Sequence, residues 1–290
     1  MKTFGRIVLS TLKLLSMAIL MLVLVAITQG IIGSIKKYIG DPLTYQFIKV
    51  ACPFVVLFAT ILFACKVYKH SKDSYGFDDN YSKNIKHLII GAVLGLIMSL
   101  MVNVLQSFGG YLSIAENKNF NVLSFFISFL FVFAQAFSEE VVFRAFPITE
   151  FKKFNNRYIT ALGVIITSIV FALFHNATPG YSFLAFCVYF LFSVGLSMLY
   201  LTTKNIWIPV GFHILWNFSI FSIIGVGKNS SESIFISTEN VHHIQKILGH
   251  SIDYYTMGHI LTLIGIIPLF ILGVAIYFKK NTIQEIQKIS

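Results

Sequence analysis

Two adjacent carboxylates and an arginine interrupt an otherwise apolar run. Glu139, Glu140 and Arg144 lie between Phe120 and Phe146, a segment long enough to cross a bilayer. Each charge at such depth costs at least ~2.5 kcal/mol on insertion scales, so the three together indicate a functional site. The spacing predicts that Glu140 and Arg144 pair across one helical turn, while Glu139, rotated by about 100°, is free to face a cavity. A buried carboxylate of this kind suits general-base chemistry on a water.

Two histidines lie within later apolar segments. His175 follows Phe171 by four residues, and His213 precedes Asn217 by four. The second spacing places the imidazole and the amide on one helix face. A lone histidine in an apolar helix is more often a core residue, but two of them beside an intramembrane Glu-Glu-Arg favour a shared site. The alternative is a buried salt-bridge cluster that only clips helices together.

The three motifs together resemble a known family. Glu-Glu-x-x-x-Arg, Phe-x-x-x-His and His-x-x-x-Asn, in this order on successive apolar helices, are similar to those of the CAAX prenyl protease and bacteriocin-processing (CPBP, or Abi) family of intramembrane proteases. The resemblance covers about residues 121–222 and implies hydrolysis of a peptide bond in a membrane-associated peptide or protein. It implies the following roles: Glu139 as general base, His175 as the residue that holds the water, His213 and Asn217 as oxyanion donors, and Glu140 and Arg144 as their support.

The metal dependence of such a site stays open. Glu139, His175 and His213 are ligand types that could hold a catalytic Zn²⁺ with water in the fourth position. The H-E-x-x-H helix of many zinc proteases is absent from the sequence. We favour a glutamate-activated water without an obligatory metal. We expect a bacterial enzyme of peptide or bacteriocin processing or of self-immunity, with no prenyl group implied for its substrate.

The composition predicts an all-α, polytopic membrane protein. The 290 residues are 56% hydrophobic and 12% charged, with a mean hydropathy of +0.79, whereas soluble domains carry about 25% charged residues. The net charge of +10 is spread over loops and ends, so it favours orientation in a bilayer over binding of nucleic acid. Cys52, Cys65 and Cys187 lie in apolar segments without metal-ligand spacing and are expected to be packing residues.

Eight apolar segments are predicted to be transmembrane helices. They cover residues 8–33, 44–65, 85–107, 121–147, 158–176, 181–202, 206–226 and 256–278. The first could instead be a signal peptide, but it lacks a clean A-x-A cleavage site and is expected to be retained. With both termini in the cytoplasm, the inside segments hold 14 lysines and arginines and the outside loops hold 5, which predicts this orientation in the cell membrane.

The domain prediction follows the motifs. Residues 1–120 form N-terminal helices without a recognisable motif, 121–226 form the catalytic core, and 227–290 form an outside loop and the last helix. That loop is predicted to contain a short helix at 241–248, and the fourth and fifth helices to form a hairpin that turns at 155–157. Two other functions remain open, a proton-coupled transporter and a non-catalytic immunity or scaffold protein.

Overall fold

The computed structural model describes residues 2–77, 79–226, 231–240, 242–247, 250–267, 270–271 and 275, and its architecture is a helical bundle. The helices are α1 (Lys2–Ile35), α2 (Pro42–Lys66), α3 (Tyr81–Phe108), α4 (Val122–Glu140), α5 (Phe146–Lys152), α6 (Arg157–Phe174), α7 (Phe183–Thr203), α8 (Trp207–Phe218) and α9 (Tyr254–Ile267). A 3₁₀ turn (Lys72–Tyr75) follows α2, and π-helical turns follow α4 (Val141–Ala145) and α8 (Ser219–Ile223). The strands are β1 (Leu112–Glu116), β2 (Phe235–Glu239), β3 (Gln245–Ile247) and β4 (His250–Ile252).

Within the described ranges, six helical stretches are long and apolar enough to cross a membrane. They are Thr3–Ile35, Leu43–Lys66, Tyr81–Phe108, Val122–Lys152, Arg157–Phe174 and Phe183–Thr203. The remaining two predicted spans are also helical where they are described, but they are shorter, at Trp207–Ile223 and Tyr254–Ile267. The prediction of an all-α, polytopic membrane bundle is therefore confirmed.

The connections collect at two opposite ends of the bundle. At the end that carries the N-terminus, Arg6 of α1 lies over the ring of Phe154 at 4.8 Å, and the backbone N–H of Ile206 donates to the carbonyl of Gly76 at 3.3 Å. This end therefore gathers the α2–α3, α5–α6 and α7–α8 connections, which the lysine and arginine count assigns to the inside. The predicted turn at 155–157 is present, and Asn156 caps α6 through its side chain.

The opposite end, here called the sheet end, carries two small antiparallel sheets. Strand β1 follows α3 and pairs with β2, with Leu112 opposite Glu239. The predicted short helix at 241–248 is wrong for the residues that are described, because Gln245–Ile247 forms strand β3 and pairs with β4. Val241, Ile244 and Leu248 recur at helical spacing, but the neighbouring strand β4 satisfies the backbone groups of Gln245–Ile247 directly.

Helix α8 is fixed by an unusually close approach to α3. A Cβ atom built on Gly95 would overlap the carbonyl of Phe212, and one built on Gly211 would overlap the carbonyl of Leu88. Small residues allow two helix backbones to meet in this way. Because Phe212 and His213 are consecutive, this contact on one side of α8 sets the direction in which His213 points on the other, toward α4.

Candidate active site

The chain that carries Glu139 and Glu140 changes its helical winding directly after them. Helix α4 ends at Glu140 and passes into the π-helical turn Val141–Ala145 before α5 begins. Pro147, near the start of α5, has no N–H group, so it cannot donate to the carbonyl of Phe143 four residues earlier. That carbonyl instead accepts a hydrogen bond from the hydroxyl of Thr167 on α6 at 3.0 Å. A π-helical turn is often found at functional sites, and here it connects the two glutamates to α6.

We predict that Thr167→Val destabilises the protein by about 1–3 kcal/mol, because a buried carbonyl then lacks its donor. Thr60→Val is the matched control, since Thr60 is equally buried and its hydroxyl contacts only carbonyls of its own helix. Thermal unfolding of both variants in detergent measures the difference. Equal unfolding midpoints for the two variants would contradict the bridging role of Thr167.

Glu140 is held from two sides. Its Oε1 atom lies 3.2 Å from Nη1 of Arg144 and accepts a hydrogen bond from Nδ1 of His213 at 2.7 Å. Glu140 and Arg144 are completely buried, and the guanidinium lies over the ring of Phe171 at 4.1 Å. The predicted pairing of Glu140 with Arg144 is thus present. A carboxylate on Nδ1 fixes both the orientation of the ring and the nitrogen that remains available.

Glu139 has a different environment from its neighbour. It is 4% exposed, and it lines a cavity of ≈ 130 Å³ between α1, α2 and α4. Its Oε1 atom accepts a hydrogen bond from the amide of Gln135 at 3.3 Å, whereas its Oε2 atom has no hydrogen-bond partner within the described part of the chain. Nε2 of His213 lies 3.7 Å from Oε2. The two glutamates are therefore separated into a held carboxylate and one that faces a cavity.

His175 lies at the end of α6 with one ring nitrogen engaged. Its Nδ1 atom donates to the carbonyl of Phe171 at 2.8 Å, which leaves Nε2 with its lone pair in the neutral ring. The imidazole stacks on Tyr189 of α7, with 4.4 Å between ring centroids. Tyr181 donates to the carbonyl of Ala172 at 2.9 Å and so ties the α6–α7 connection to the last turn of α6. These contacts fix the position of the ring.

Five of the six predicted residues come from four segments and meet in one region of the bundle, where Arg144, His175 and His213 all contact the ring of Phe171. Glu139 and Glu140 come from α4 and Arg144 from the π-helical turn after it, His175 from the end of α6, and His213 from α8. Asn217 lies one turn after His213 and is half-buried. The hydroxyl of Ser138 donates to the carbonyl of Gln135 at 2.8 Å, so this serine is engaged by its own helix.

The side-chain positions bear on the metal alternative. Among the residues that the structure describes, no three His, Cys, Asp or Glu side chains form a group that could hold a metal ion. Nδ1 of His213 is directed at Glu140 and Nδ1 of His175 at a backbone carbonyl, so each ring could offer only Nε2.

A second buried ionic cluster was not predicted from the sequence. Glu150 of α5 is 2% exposed and accepts hydrogen bonds from Lys13 of α1 at 3.0 Å, from His70 and from Lys153. His70 in turn accepts from the hydroxyl of Tyr75 at 3.0 Å. Only Lys153 is near Glu150 in sequence, so no spacing could have indicated the cluster. It joins α1, the α2–α3 connection and α5 at the N-terminal end, away from Glu139.

Gln135 was also missed, although a signal for it exists in the sequence. It precedes Glu139 by four residues, the spacing at which helical side chains meet. It is the only amide side chain in α4, whose remaining residues are apolar apart from three serines and the two glutamates. The same reasoning that paired Glu140 with Arg144 would have paired Gln135 with Glu139.

A comparison with known protein families agrees with the resemblance that the three sequence motifs indicate. Residues 121–219 match the family model described as Rce1-like, type II CAAX prenyl endopeptidase. This match confirms the resemblance seen in the three motifs, and it covers all six residues assigned to the site. The segment is thus similar to CAAX prenyl endopeptidases, and it lies within a polytopic helical protein. No curated protein sequence matches the chain.

Proposed function

We propose that the protein is an intramembrane endopeptidase in which Glu139 activates a water to hydrolyse a peptide bond. The observation that carries this proposal is the separation of the two adjacent glutamates. Glu140 is completely buried and is held by Arg144 and His213, whereas Glu139 lines a cavity. A cluster that only clips helices together would not need the second carboxylate.

The proposed reaction begins with a water next to Oε2 of Glu139. The carboxylate takes a proton from the water as the water oxygen attacks the peptide carbonyl carbon. When the tetrahedral intermediate collapses, the carbon–nitrogen bond breaks and Glu139 returns the proton to the leaving amine. The products are a new carboxyl terminus and a new amino terminus. Nε2 of His175, which is left with a lone pair, accepts a hydrogen bond from the attacking water and orients it.

The oxyanion of the intermediate requires hydrogen-bond donors, and α8 supplies them in the proposal. The amide of Asn217 donates directly, one turn beyond His213. His213 can donate from Nε2 when its ring carries both protons, and Glu140 and Glu139 lie 2.7 Å and 3.7 Å from its two nitrogens to offset that charge. Donors fixed before the reaction are the largest usual contribution to catalysis of acyl transfer.

The surroundings of Glu139 favour a substrate that lies in or on the membrane. Its cavity is bounded by α1 and α2, both long enough to span a bilayer, and it is lined by apolar side chains that include Met21, Val56 and Phe174. We therefore propose a membrane-associated peptide or protein as substrate, in peptide or bacteriocin processing or in self-immunity. The protein would act in the cell membrane with both termini in the cytoplasm.

The test is cleavage of membrane-associated peptides by the purified protein in detergent, with products identified by mass spectrometry and with a strong zinc chelator in half of the reactions. We expect cleavage that the chelator leaves unchanged, because the base in the proposal is a carboxylate. Cleavage that is lost with chelator and restored by zinc would overturn the metal-free mechanism. A cellular phenotype that survives Glu139→Ala, His175→Ala and His213→Ala would instead support a non-catalytic scaffold.

A further inference from the structure

A larger cavity, of ≈ 360 Å³, lies beside the proposed catalytic residues toward the sheet end. Two of its lining side chains connect it with the site. Tyr189 stacks on the ring of His175, and Trp216 directly precedes Asn217 on α8. A peptide held between Glu139 and His175 therefore has this cavity next to it. The proposed mechanism uses no residue that lines it.

The lining of this cavity combines aromatic rings with negative charge. Its aromatic residues, apart from Phe221, carry polar atoms and are Tyr189, Trp216, Tyr254 and Tyr255. The lining also includes the carboxylate of Glu239, which accepts a hydrogen bond from the hydroxyl of Tyr255 at 3.3 Å. No lysine or arginine is among the described residues that line it. The rings of Tyr254 and Tyr255 stand edge to face at 5.2 Å between centroids.

A second carboxylate adds to the negative charge. Asp253 precedes α9, and its side chain accepts a hydrogen bond from the backbone N–H of Thr256 at 2.7 Å. This contact lowers the pKa of Asp253, so the carboxylate stays ionised near neutral pH. Its charge is felt by His259, which lines the cavity. The whole chain has only 12 acidic residues and a net charge of +10, so an acidic cavity stands out from its surroundings.

We propose that this cavity binds the side chain of a lysine or arginine in the peptide substrate, close to the bond that is cut. The inference rests on the proposed function. A cation is attracted to the faces of tyrosine and tryptophan rings by about 0.5–2 kcal/mol. A hydrogen bond from a cationic donor to a carboxylate is also stronger than one between neutral groups. A peptide side chain is favoured over a lipid headgroup because Tyr189, which lines the cavity, stacks on His175, the residue assigned to the water that attacks the peptide bond.

The test measures binding rather than cleavage. In the Glu139→Gln background and in a maltoside detergent, fluorescence polarisation compares a membrane-associated peptide that contains one lysine with the same peptide containing norleucine. We expect the lysine peptide to bind about tenfold more tightly, a difference of about 1.4 kcal/mol. Glu239→Gln should reduce this preference to less than about threefold. Glu232→Gln is the matched control, because Glu232 is also near the sheet end but pairs with Lys49 and lines another cavity.

A second pair of variants separates binding from folding. Tyr255→Phe keeps the ring and should keep the preference for lysine, whereas Tyr255→Leu removes the ring and should weaken it. A merely structural role would lower the affinity for both peptides equally. The proposal is overturned if the protein with unchanged Glu239 binds the lysine and norleucine peptides equally. It is also overturned if Glu232→Gln reduces the preference for lysine as much as Glu239→Gln does.

The outcomes distinguish this inference from the proposed function. A preference for lysine that depends on Glu239, in a protein that cuts no peptide, supports the cationic site and counts against the protease. If the lysine and norleucine peptides are cleaved equally well, the result supports the protease and counts against the cationic site. If phosphocholine binds in a manner that depends on Glu239 while the lysine peptide shows no advantage, the cavity is a site for a lipid headgroup and the proposal fails.

Discussion

Glu139→Gln is expected to lower kcat by about 10²–10⁴-fold, the usual contribution of a general base, while leaving the fold and the affinity for peptide unchanged. Glutamine has nearly the same shape, and its carbonyl oxygen can still accept the hydrogen bond from Gln135. It cannot take a proton from water. Single-turnover cleavage separates the chemical step from binding, and a thermal unfolding midpoint equal to that of the unmodified protein verifies the fold.

The control for this variant lies on the same helix. Gln135→Leu removes the hydrogen bond to Glu139 but leaves the carboxylate, so its activity should fall far less than that of Glu139→Gln. Near-normal turnover by Glu139→Gln, with any peptide, would contradict the assignment of Glu139 as the general base.

Glu140→Gln is expected to act mainly on stability, with a loss of about 3–5 kcal/mol. Arg144 is completely buried, and Glu140 is the carboxylate nearest to it at 3.2 Å. Without this partner the guanidinium remains as an uncompensated buried charge. The carbonyl oxygen of the glutamine can still accept the hydrogen bond from Nδ1 of His213, but the negative charge beside that ring is lost, so any folded fraction should show reduced activity as well. The readouts are the unfolding midpoint in detergent and the yield of folded protein from membranes.

The double variant Glu140→Leu with Arg144→Leu tests the reason for this loss. Removing both charges replaces a buried ion pair by apolar side chains of similar size, which is often neutral or stabilising. The double variant should therefore recover much of the stability but not the activity. A Glu140→Gln protein as stable as the unmodified one would show that Arg144 has another partner.

Local spacing was sufficient for the contacts that lie within one helix. The pairing of Glu140 with Arg144, the turn at Asn156 and the helical nature of the eight apolar segments, as far as their residues are described, follow from periodicity, capping and hydropathy. Gln135 beside Glu139 follows from the same spacing and could have been predicted. The segment that resembles the protease family, 121–222, also agrees closely with the matched residues 121–219.

Contacts between distant segments could not be read in this way. The bond from Thr167 to the carbonyl of Phe143 depends on a π-helical turn and on the packing of α6, neither of which leaves a spacing signal. The stacking of Tyr189 on His175 and the cluster around Glu150 likewise join residues from different helices. Strand β3 lies within the predicted helix at 241–248 because the helical spacing of Val241, Ile244 and Leu248 is visible in the sequence, whereas the pairing of β3 with β4 is not.

The sequence by itself determined the class of this protein and the residues of its candidate site. Charge inside an apolar segment is costly, so it identifies the site without a structure. Only the tertiary structure decided how the two adjacent glutamates differ. Both are buried acids of the same kind. The packing of α8 against α3 brings Nδ1 of His213 within hydrogen-bonding distance of Glu140, while the gap between α1, α2 and α4 leaves Glu139 facing a cavity.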